Sequence, residues 1–294
     1  MKTYVTMKRV MLGSVAALLL SCAGNRPQKI DRFALVDRNN PRVTEFEELS
    51  SLSVGNGNFA VTVDATGLQT FPEIYSAGVP LGTQSQWGWH SFPNTQNFTP
   101  EETLKNFNFH GWDEPYATQF NEPGRQQDAS NYFRVNPHRL HLGYIGLELT
   151  TEEGEAVKAE ELTGINQELH LWNGIIDSRF LVGVDSARVQ TAVHPEKDRL
   201  AVALNSPLIG KGLMKINLRF PYPSGNHADD ATDWNAPQKH KTEIVSQDES
   251  TIVFKRTLDD TVYYLTLNHT GAVTIAEKAP HYYVISPADD AFRF

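Results

Sequence analysis

The sequence predicts an all-β protein, and two patterns lead to this prediction. In the clearest segment, Met214, Ile216, Leu218 and Phe220 alternate with polar residues. This period of two is typical of a strand that has one buried face and one face in water. Strand-like runs recur roughly every 8 to 15 residues between about 139 and 286, which is the spacing of a sandwich or barrel and not of βαβ units.

Further strands are predicted at 200–204, 252–254 and 262–267, where apolar and β-branched residues repeat the same pattern. Asn173-Gly174 separates two apolar runs. This dipeptide predicts a hairpin with a type I′ turn, because that turn needs a positive φ at both central positions.

One bulge and one helix are also predicted. Between 140 and 149 the apolar residues change parity around Gly143 and Gly146, which a β-bulge would explain. Thr99, Pro100 and Glu102 have the spacing of a helix start, so a helix is expected to run on to about 107. The predicted fold is therefore an antiparallel all-β body with one or two short helices in its loops.

The start of the chain predicts export and lipidation. A short apolar run ends at Cys22, which is the only cysteine, and basic residues precede the run. About eleven apolar residues are too few to span roughly 30 Å of hydrocarbon, so a removable signal peptide is expected at 1–21. The run before Cys22 has the arrangement of a bacterial lipobox, which predicts a lipid-anchored protein of the bacterial cell envelope, facing the periplasm or on the outer membrane. An ordinary signal peptide with an incidental cysteine is the alternative.

Residues 22–45 are polar and aperiodic and are predicted to be a tether and lead-in, followed by one β domain at 46–294 whose first strand begins near Leu52. The formal charge of −9, without a basic run after the signal, argues against nucleic acid and against membrane contact other than through the lipid. The aromatic content of 10%, with five Trp, suits a neutral carbohydrate partner, since aromatic faces stack on the C–H faces of sugars.

The segment 82–94 is the strongest candidate for a binding site. It contains Gln86, Trp87, Trp89 and His90 among amides, hydroxyls and glycines, with hardly an aliphatic residue. Such a composition does not suit a core strand, so the segment is predicted to be a loop that lines a cleft. An extended backbone would place both indoles on one side as a stacking platform, with His90 on the other. The alternative is that both indoles plug one end of the sandwich.

Two other tryptophans are added as candidate sugar contacts. Trp112 lies in a second polar and aromatic patch, and Trp234 lies in the polar loop 226–240. That loop holds two histidines and three aspartates, but nothing in the sequence fixes them as metal ligands, so it is predicted to be solvated. No metal, no cofactor and no catalytic residue is assigned.

The segments 52–60, 66–71, 80–90, 136–143 and 171–174 resemble the amino-terminal region of secreted Bacteroidetes-type glycoside hydrolases that are similar to the family 65 group. The resemblance implies a β-supersandwich related to galactose mutarotase, followed in the family by a six-hairpin (α/α)6 barrel that carries the catalytic acids. This sequence reaches Phe294 without a helical repeat. By resemblance, the loop with Trp87 would lean over the sugar site of a barrel.

Three functions follow as hypotheses. The first is a noncatalytic sandwich domain of a lipid-anchored glycoside hydrolase, which lines one wall of a sugar site and supports a helical catalytic barrel encoded downstream. The second is a standalone carbohydrate-binding lipoprotein. The third is a mutarotase-like epimerase, which would need a histidine and a glutamate converging inside a concave sheet, and the sequence identifies no such pair.

Overall fold

The computed structural model describes residues 29–226 and 228–294, so the predicted signal peptide and the predicted lipidation site Cys22 lie outside the described residues. The chain divides into two units, 1–39 and 40–294. In the described part of the first unit, helix α1 (Arg32–Asp37) is capped by Asp31, whose Oδ1 accepts the backbone N–H of Ala34 at 3.0 Å. Among the described residues, no helix has the length and apolarity needed to cross a membrane.

The second unit consists mainly of antiparallel strands, which confirms the predicted all-β fold. Its strands are β1 (Arg42–Val43), β2 (Leu52–Gly55), β3 (Phe59–Val63), β4 (Gly82–Ser85), β5 (Trp89–His90), β6 (Leu104–Phe109), β7 (Trp112–Ala117), β8 (His138–Arg139), β9 (Tyr144–Leu149), β10 (Leu162–His170), β11 (Ile175–Val182), β12 (Asp185–Val193), β13 (Leu200–Asn205), β14 (Met214–Arg219), β15 (His240–Gln247), β16 (Thr251–Leu258), β17 (Thr261–Asn268), β18 (Val273–Ala279), β19 (Tyr282–Pro287) and β20 (Ala291–Arg293). Its helices are α2 (Pro72–Tyr75), α3 (Arg125–Val135) and α4 (Pro207–Gly210).

The strands form one large sheet and several smaller ones. The six-stranded sheet has the order β1-β10-β11-β12-β13-β20, and a four-stranded sheet has the order β18-β19-β14-β9. Two three-stranded sheets, β15-β16-β17 and β2-β3-β4, and two ribbons, β5-β8 and β6-β7, complete the domain. The main core lies where the inner faces of the two larger sheets meet β16, and Phe180, Ile216 and Phe254 are among its fully buried side chains.

The loop after β3 is organised by one buried carboxylate. Asp64 is inaccessible to solvent and accepts four hydrogen bonds, from the backbone N–H and hydroxyl of Thr66 and from the backbone N–H groups of Thr70 and Phe71. Its backbone carbonyl accepts from the side-chain amide of Gln167 in β10 at 2.7 Å. This aspartate therefore fixes the conformation of the 66–71 segment and its attachment to the large sheet.

Gly67 is required within this loop for two reasons. Its φ of +87° is in the left-handed region, and an added Cβ would lie 2.7 Å from Oγ of Ser178. The Gly67 carbonyl accepts from the hydroxyl of Thr191 at 2.7 Å. The loop backbone thus packs directly on the large sheet, with no space for a side chain.

Sheet pairing begins earlier than the first strand that the sequence predicts. Arg42 and Val43 pair with β10, and Val43 is buried. The last part of the predicted tether and lead-in is therefore already a sheet edge, about ten residues before Leu52.

The predicted helix at 99–107 is wrong beyond its first turn. Thr99, Pro100 and Glu102 do form the capping arrangement, but only a 3₁₀ turn, Pro100–Thr103, follows before β6 begins. β6 pairs along its whole length with β7. This pairing satisfies more backbone groups than a short helix would, because the first turn of a helix forms only one hydrogen bond. The longest helix among the described residues, α3, is not predicted from the sequence, because its apolar pattern is weak.

The predicted hairpin is present, but its turn differs. His170 pairs with Ile175, so the loop contains four residues and only Gly174 has a positive φ. The predicted bulge is absent from β9. Instead, Gly143 turns the chain at φ +131° just before the strand, so Leu142 packs in a smaller core and Leu147 in the main one.

Candidate functional site

The segment 82–94 combines an edge strand, a tight turn and a two-residue strand. The predicted loop is wrong for residues 82–85, which form β4 and pair with β3. A strand is possible there because its polar side chains are either paired or exposed. Buried Ser85 donates to Asp198 Oδ2 at 2.5 Å, and the Thr83 hydroxyl is hydrogen-bonded to the side chain of Gln69. Gln84 faces solvent. The polar residues that argued against a strand thus have partners on an edge.

Trp87 lies in the turn and is held at its polar end. Its indole N–H donates to Asp198 Oδ2 at 2.7 Å, and its ring lies 5.9 Å from that of Tyr263. The side chain is still 49% exposed. Because the N–H is already paired, the exposed part of Trp87 offers a ring surface for stacking, and a ligand gains no hydrogen bond from it.

Trp89 is fixed in a similar way. Its indole N–H donates to the carbonyl of Gln86 at 3.1 Å, and the guanidinium of Arg139 lies 4.1 Å from its ring centroid. Arg139 also donates to the carbonyls of Ser85 and Gln86. Trp89 remains 44% exposed, and the Gln86 side chain is exposed beside it. We call Gln86, Trp87 and Trp89 the aromatic rim.

His90 lies beneath the rim and is buried. Its Nδ1 contacts His138 Nε2 at 3.0 Å and its Nε2 contacts Asp259 Oδ2 at 3.0 Å. Asp259 Oδ2 also accepts the hydroxyl of Tyr222 at 2.6 Å. His90 therefore points to the opposite side from solvent and joins three side chains into a network, where the sequence suggested a direct sugar contact.

The network contains one proton fewer than its contacts need when His90 is neutral. His138 Nδ1 lies 2.8 Å from the Val135 carbonyl, which can only accept, so the proton of His138 is on Nδ1 and its Nε2 accepts from His90. A neutral His90 then has no proton left for Asp259. Burial lowers the pKa of His90, whereas the hydrogen bond to Asp259 opposes this shift. The contact between His90 Nε2 and Asp259 therefore has a shared proton only when His90 is protonated.

Trp112 lies on the ribbon β6-β7, away from these contacts. In the described part of the chain, its ring makes no contact with the rim or with Trp234, and it is 74% exposed. The ribbon turns at His110 and Gly111, both with positive φ. Cross-strand partners share a face, so Phe107, Phe109, Trp112 and Tyr116 project from one side of the ribbon. All residues of the ribbon are exposed.

Trp234 lies in a third place. It is 46% exposed and stacks on buried Tyr144, with ring centroids 6.0 Å apart and planes at 22°. In the same loop Asp229 accepts from Ser224, Asn226 and the Ala231 N–H, so its oxygens are used to shape the loop. His227 lies outside the described residues.

The structure thus brings Gln86, Trp87 and Trp89 together and leaves Trp112 and Trp234 apart. Sequence reasoning did not connect Asp198, Tyr222 and Asp259 to this site. They hold the rim and His90 from a bend, an isolated β-bridge and a turn. No local pattern marks these three residues. His141, which lies in the 136–143 segment, and Tyr144, which directly follows it, are also not predicted as site residues.

Fold and surface together define an antiparallel β-sandwich domain that exposes aromatic side chains at the rim, on the ribbon β6-β7 and at Trp234. No protein-family model and no curated protein matches the chain. A solved structure named "Putative kojibiose phosphorylase from human microbiome" matches it with a TM-score of 0.50 and 8% identity, over 88% of this chain and 32% of the other. The predicted resemblance to the family 65 group is confirmed at the level of the fold, and the chain spans about a third of that protein's length.

Proposed function

We propose that this chain is a noncatalytic β-sandwich domain that works with the helical catalytic barrel of a glycoside hydrolase and provides one wall of its sugar site. The observation that carries the proposal is the likeness in fold to about a third of a longer chain, the one named "Putative kojibiose phosphorylase from human microbiome". The other two thirds of that chain leave room for a second domain.

The aromatic face of the ribbon β6-β7 supports a docked partner. An isolated two-stranded ribbon is only marginally stable in water. Phe107, Phe109, Trp112 and Tyr116 nevertheless project from it into solvent, with Lys105 and Glu114 as the charged residues on the same face. An apolar face of this kind, with balanced charge, suits a large neutral protein surface such as the side of a helical barrel.

The aromatic rim supports the sugar wall. The indole N–H groups of Trp87 and Trp89 are paired within the domain, so both rings are held in place before any ligand arrives. A preorganised ring loses little conformational entropy on binding. The rim therefore suits stacking against a sugar, with Gln86 beside it as an adaptable hydrogen-bonding group.

Activity and complex formation test this proposal. The purified protein should hydrolyse no aryl glycoside by itself. If the neighbouring reading frame encodes a helical barrel, coexpression of the two proteins should yield one complex on purification. A variant with Phe109→Ser and Trp112→Ser should lose the complex, while Val184→Ala, at an exposed turn far from the ribbon in sequence, should keep it. Hydrolysis by the isolated chain, or a complex indifferent to the ribbon variant, would reject the proposal.

The second candidate function is a standalone carbohydrate-binding lipoprotein, which the fixed rim favours equally. In that case oligosaccharides should quench tryptophan fluorescence without any partner. Trp87→Ala or Trp89→Ala should each weaken binding by about 1 kcal/mol, the scale of one aromatic stacking contact. A broad glycan panel without any response would exclude this candidate.

Lipid anchoring in the bacterial envelope is part of both candidates and rests on the sequence around Cys22. Labelling cells with a radioactive fatty acid should mark the protein, and Cys22→Ser should abolish the label. A labelled serine variant would contradict the anchor.

A further inference from the structure

A small cavity lies between edge strand β4 and the loop that precedes Trp234. Its volume is about 250 Å³, below the roughly 300 to 1,000 Å³ of pockets for drug-sized ligands, so it suits a molecule of one ring. Its polar lining comes from Thr62, Gln84, His141, Asp229 and Asp230. Ala60, Pro80, Leu81, Gly82 and Ala231 form the remainder.

His141 presents an unpaired hydrogen-bond donor at this cavity. Its Nδ1 accepts the backbone N–H of Gly143 at 3.1 Å, so the single proton of the neutral ring is on Nε2. Burial lowers the pKa of His141 to about 4, which keeps the ring neutral at physiological pH. The side chain is 3% exposed, and its Nε2 has no partner with hydrogen-bond geometry. The backbone of Leu81 is nearby and partly opposes the lowering of the His141 pKa.

Two neighbouring side chains also have unpaired polar atoms. The Tyr144 ring lies 4.3 Å from that of His141, and its hydroxyl has no partner. Arg219 lies beside the rings of Tyr144 and Trp234, at 5.5 and 5.9 Å, and its Nε and Nη2 have no partner. Buried donors without acceptors are costly and uncommon in proteins. Of these three residues, only His141 lines the cavity, and a ligand bound there would supply the acceptor that its Nε2–H lacks.

The charges at the cavity select the class of ligand. The proton on His141 Nε2 blocks the nitrogen lone pair that a metal ion would need. The carboxylates of Asp229 and Asp230 disfavour an anion, and the His141 Nε2–H offers a cation no acceptor. Asp230 Oδ1 is held by Thr232, and its second oxygen is available as an acceptor. Neutral hydroxyl groups can both accept from His141 and donate to Asp230.

We propose that this cavity binds a neutral polyhydroxy compound of monosaccharide size, with His141 and Asp230 as its main hydrogen-bonding partners. The inference rests on the proposed function for its ligand class, carbohydrate, but assigns a site separate from the aromatic rim.

Gly82 offers a variant that closes the site while preserving the fold. An added Cβ would lie 3.7 Å from both Nε2 and Cδ2 of His141, which is ordinary van der Waals contact, and the Gly82 backbone needs no positive φ. Gly82→Ala should therefore fold normally and cover the unpaired donor. Asp230→Asn keeps an oxygen for Thr232 and removes the charge, and Val184→Ala serves as the matched control.

The experiment is calorimetric titration of the purified protein with glucose, galactose and xylose, and with glucuronate, glucosamine and Ca²⁺ as charged probes. We expect a neutral sugar to bind and Gly82→Ala to weaken it about tenfold or more, since a donor and its space are lost together. Asp230→Asn should weaken it about fivefold, and Val184→Ala should not change it.

The outcomes separate the two proposals. If monosaccharide binding is lost in Trp87→Ala but kept in Gly82→Ala, the cavity proposal is overturned and the sugar wall is retained. Preferred binding of glucuronate, glucosamine or Ca²⁺ overturns the ligand class. If only long oligosaccharides bind, and Gly82→Ala has no effect on them, the cavity proposal fails alone. If no carbohydrate of any length binds and no barrel complex forms, both proposals fail.

Discussion

Replacing Asp64 by asparagine should destabilise the protein and change how its stability depends on pH. An asparagine can offer one acceptor oxygen, so its amide nitrogen must face either the Thr66 donors or the N–H groups of Thr70 and Phe71. Leaving two buried donors without an acceptor costs about 2 to 4 kcal/mol at pH 7.

The pH dependence follows from the shifted pKa. Burial raises the pKa of Asp64 from 3.8 to about 6, and its hydrogen bonds oppose this shift. The folded protein therefore holds a proton between these pH values that the unfolded chain releases. The resulting stabilisation is full below pH 3.8 and is lost as the pH rises through about 6. At about 1.4 kcal/mol per unit of pKa, it should decrease by about 2 kcal/mol from pH 4.5 to pH 7.

Urea unfolding of the wild type and of Asp64→Asn, followed by circular dichroism at pH 4.5, 5.5, 6.5 and 7.5, measures this effect. The gap in unfolding free energy between the two proteins should widen toward acid. Glu249→Gln, which removes an exposed carboxylate, should leave the gap from the wild type small at every pH. A gap for Asp64→Asn that narrows toward acid would refute the reasoning. It would mean that the four hydrogen bonds lower the pKa of Asp64 by more than burial raises it.

Two further variants test the structure. Gly67→Ala should lower the free energy of unfolding by about 2 kcal/mol or more, whereas Gly174→Ala, also at positive φ but in open space, should cost about 1 kcal/mol in the same urea assay. Similar costs would show that the loop can move away from the sheet. Asp259→Asn should change stability at pH 7 by less than about 1 kcal/mol, because its amide can donate to neutral His90 and asparagine tolerates the φ of +47°. A loss as large as that of Gly67→Ala would mean that His90 is protonated at pH 7.

The fold was predictable because alternation determines which face of a strand is buried. Met214, Ile216 and Leu218 are buried as the pattern requires. The prediction failed where a local signal competed with distant pairing. The capping residues around Pro100 do start one helical turn. The chain then enters β6 because β6 pairs with β7, and this pairing cannot be read from the 99–107 segment alone.

Arg256 shows a second limit of the pattern. It continues the buried face formed by Ile252 and Phe254, yet carries a charge. Its guanidinium is accommodated by the Thr242 hydroxyl and the Pro221 carbonyl, and burial lowers its pKa. Those partners lie in β15 and just after β14, so a hydropathy pattern of β16 alone could not reveal how a buried charge there would be accommodated.

The candidate site was predicted only in part for the same reason. Composition identified Trp87 and Trp89, because indoles among amides and glycines are unusual. What holds them, Asp198 and Arg139, comes from a loop and a strand that the chain reaches later. Burial of His90 depends on packing against Tyr222, which no local spacing encodes.

The ribbon β6-β7 also has consequences for handling the protein in solution. Among the described strands, each of its two strands pairs only with the other, so each has an open outer edge. Pro115 lies within β7 and has no N–H, which protects that edge from pairing with another chain. The β6 edge has no proline, so in concentrated samples self-association should begin along Leu104–Phe109, and a proline placed at an outward-facing position there should suppress it.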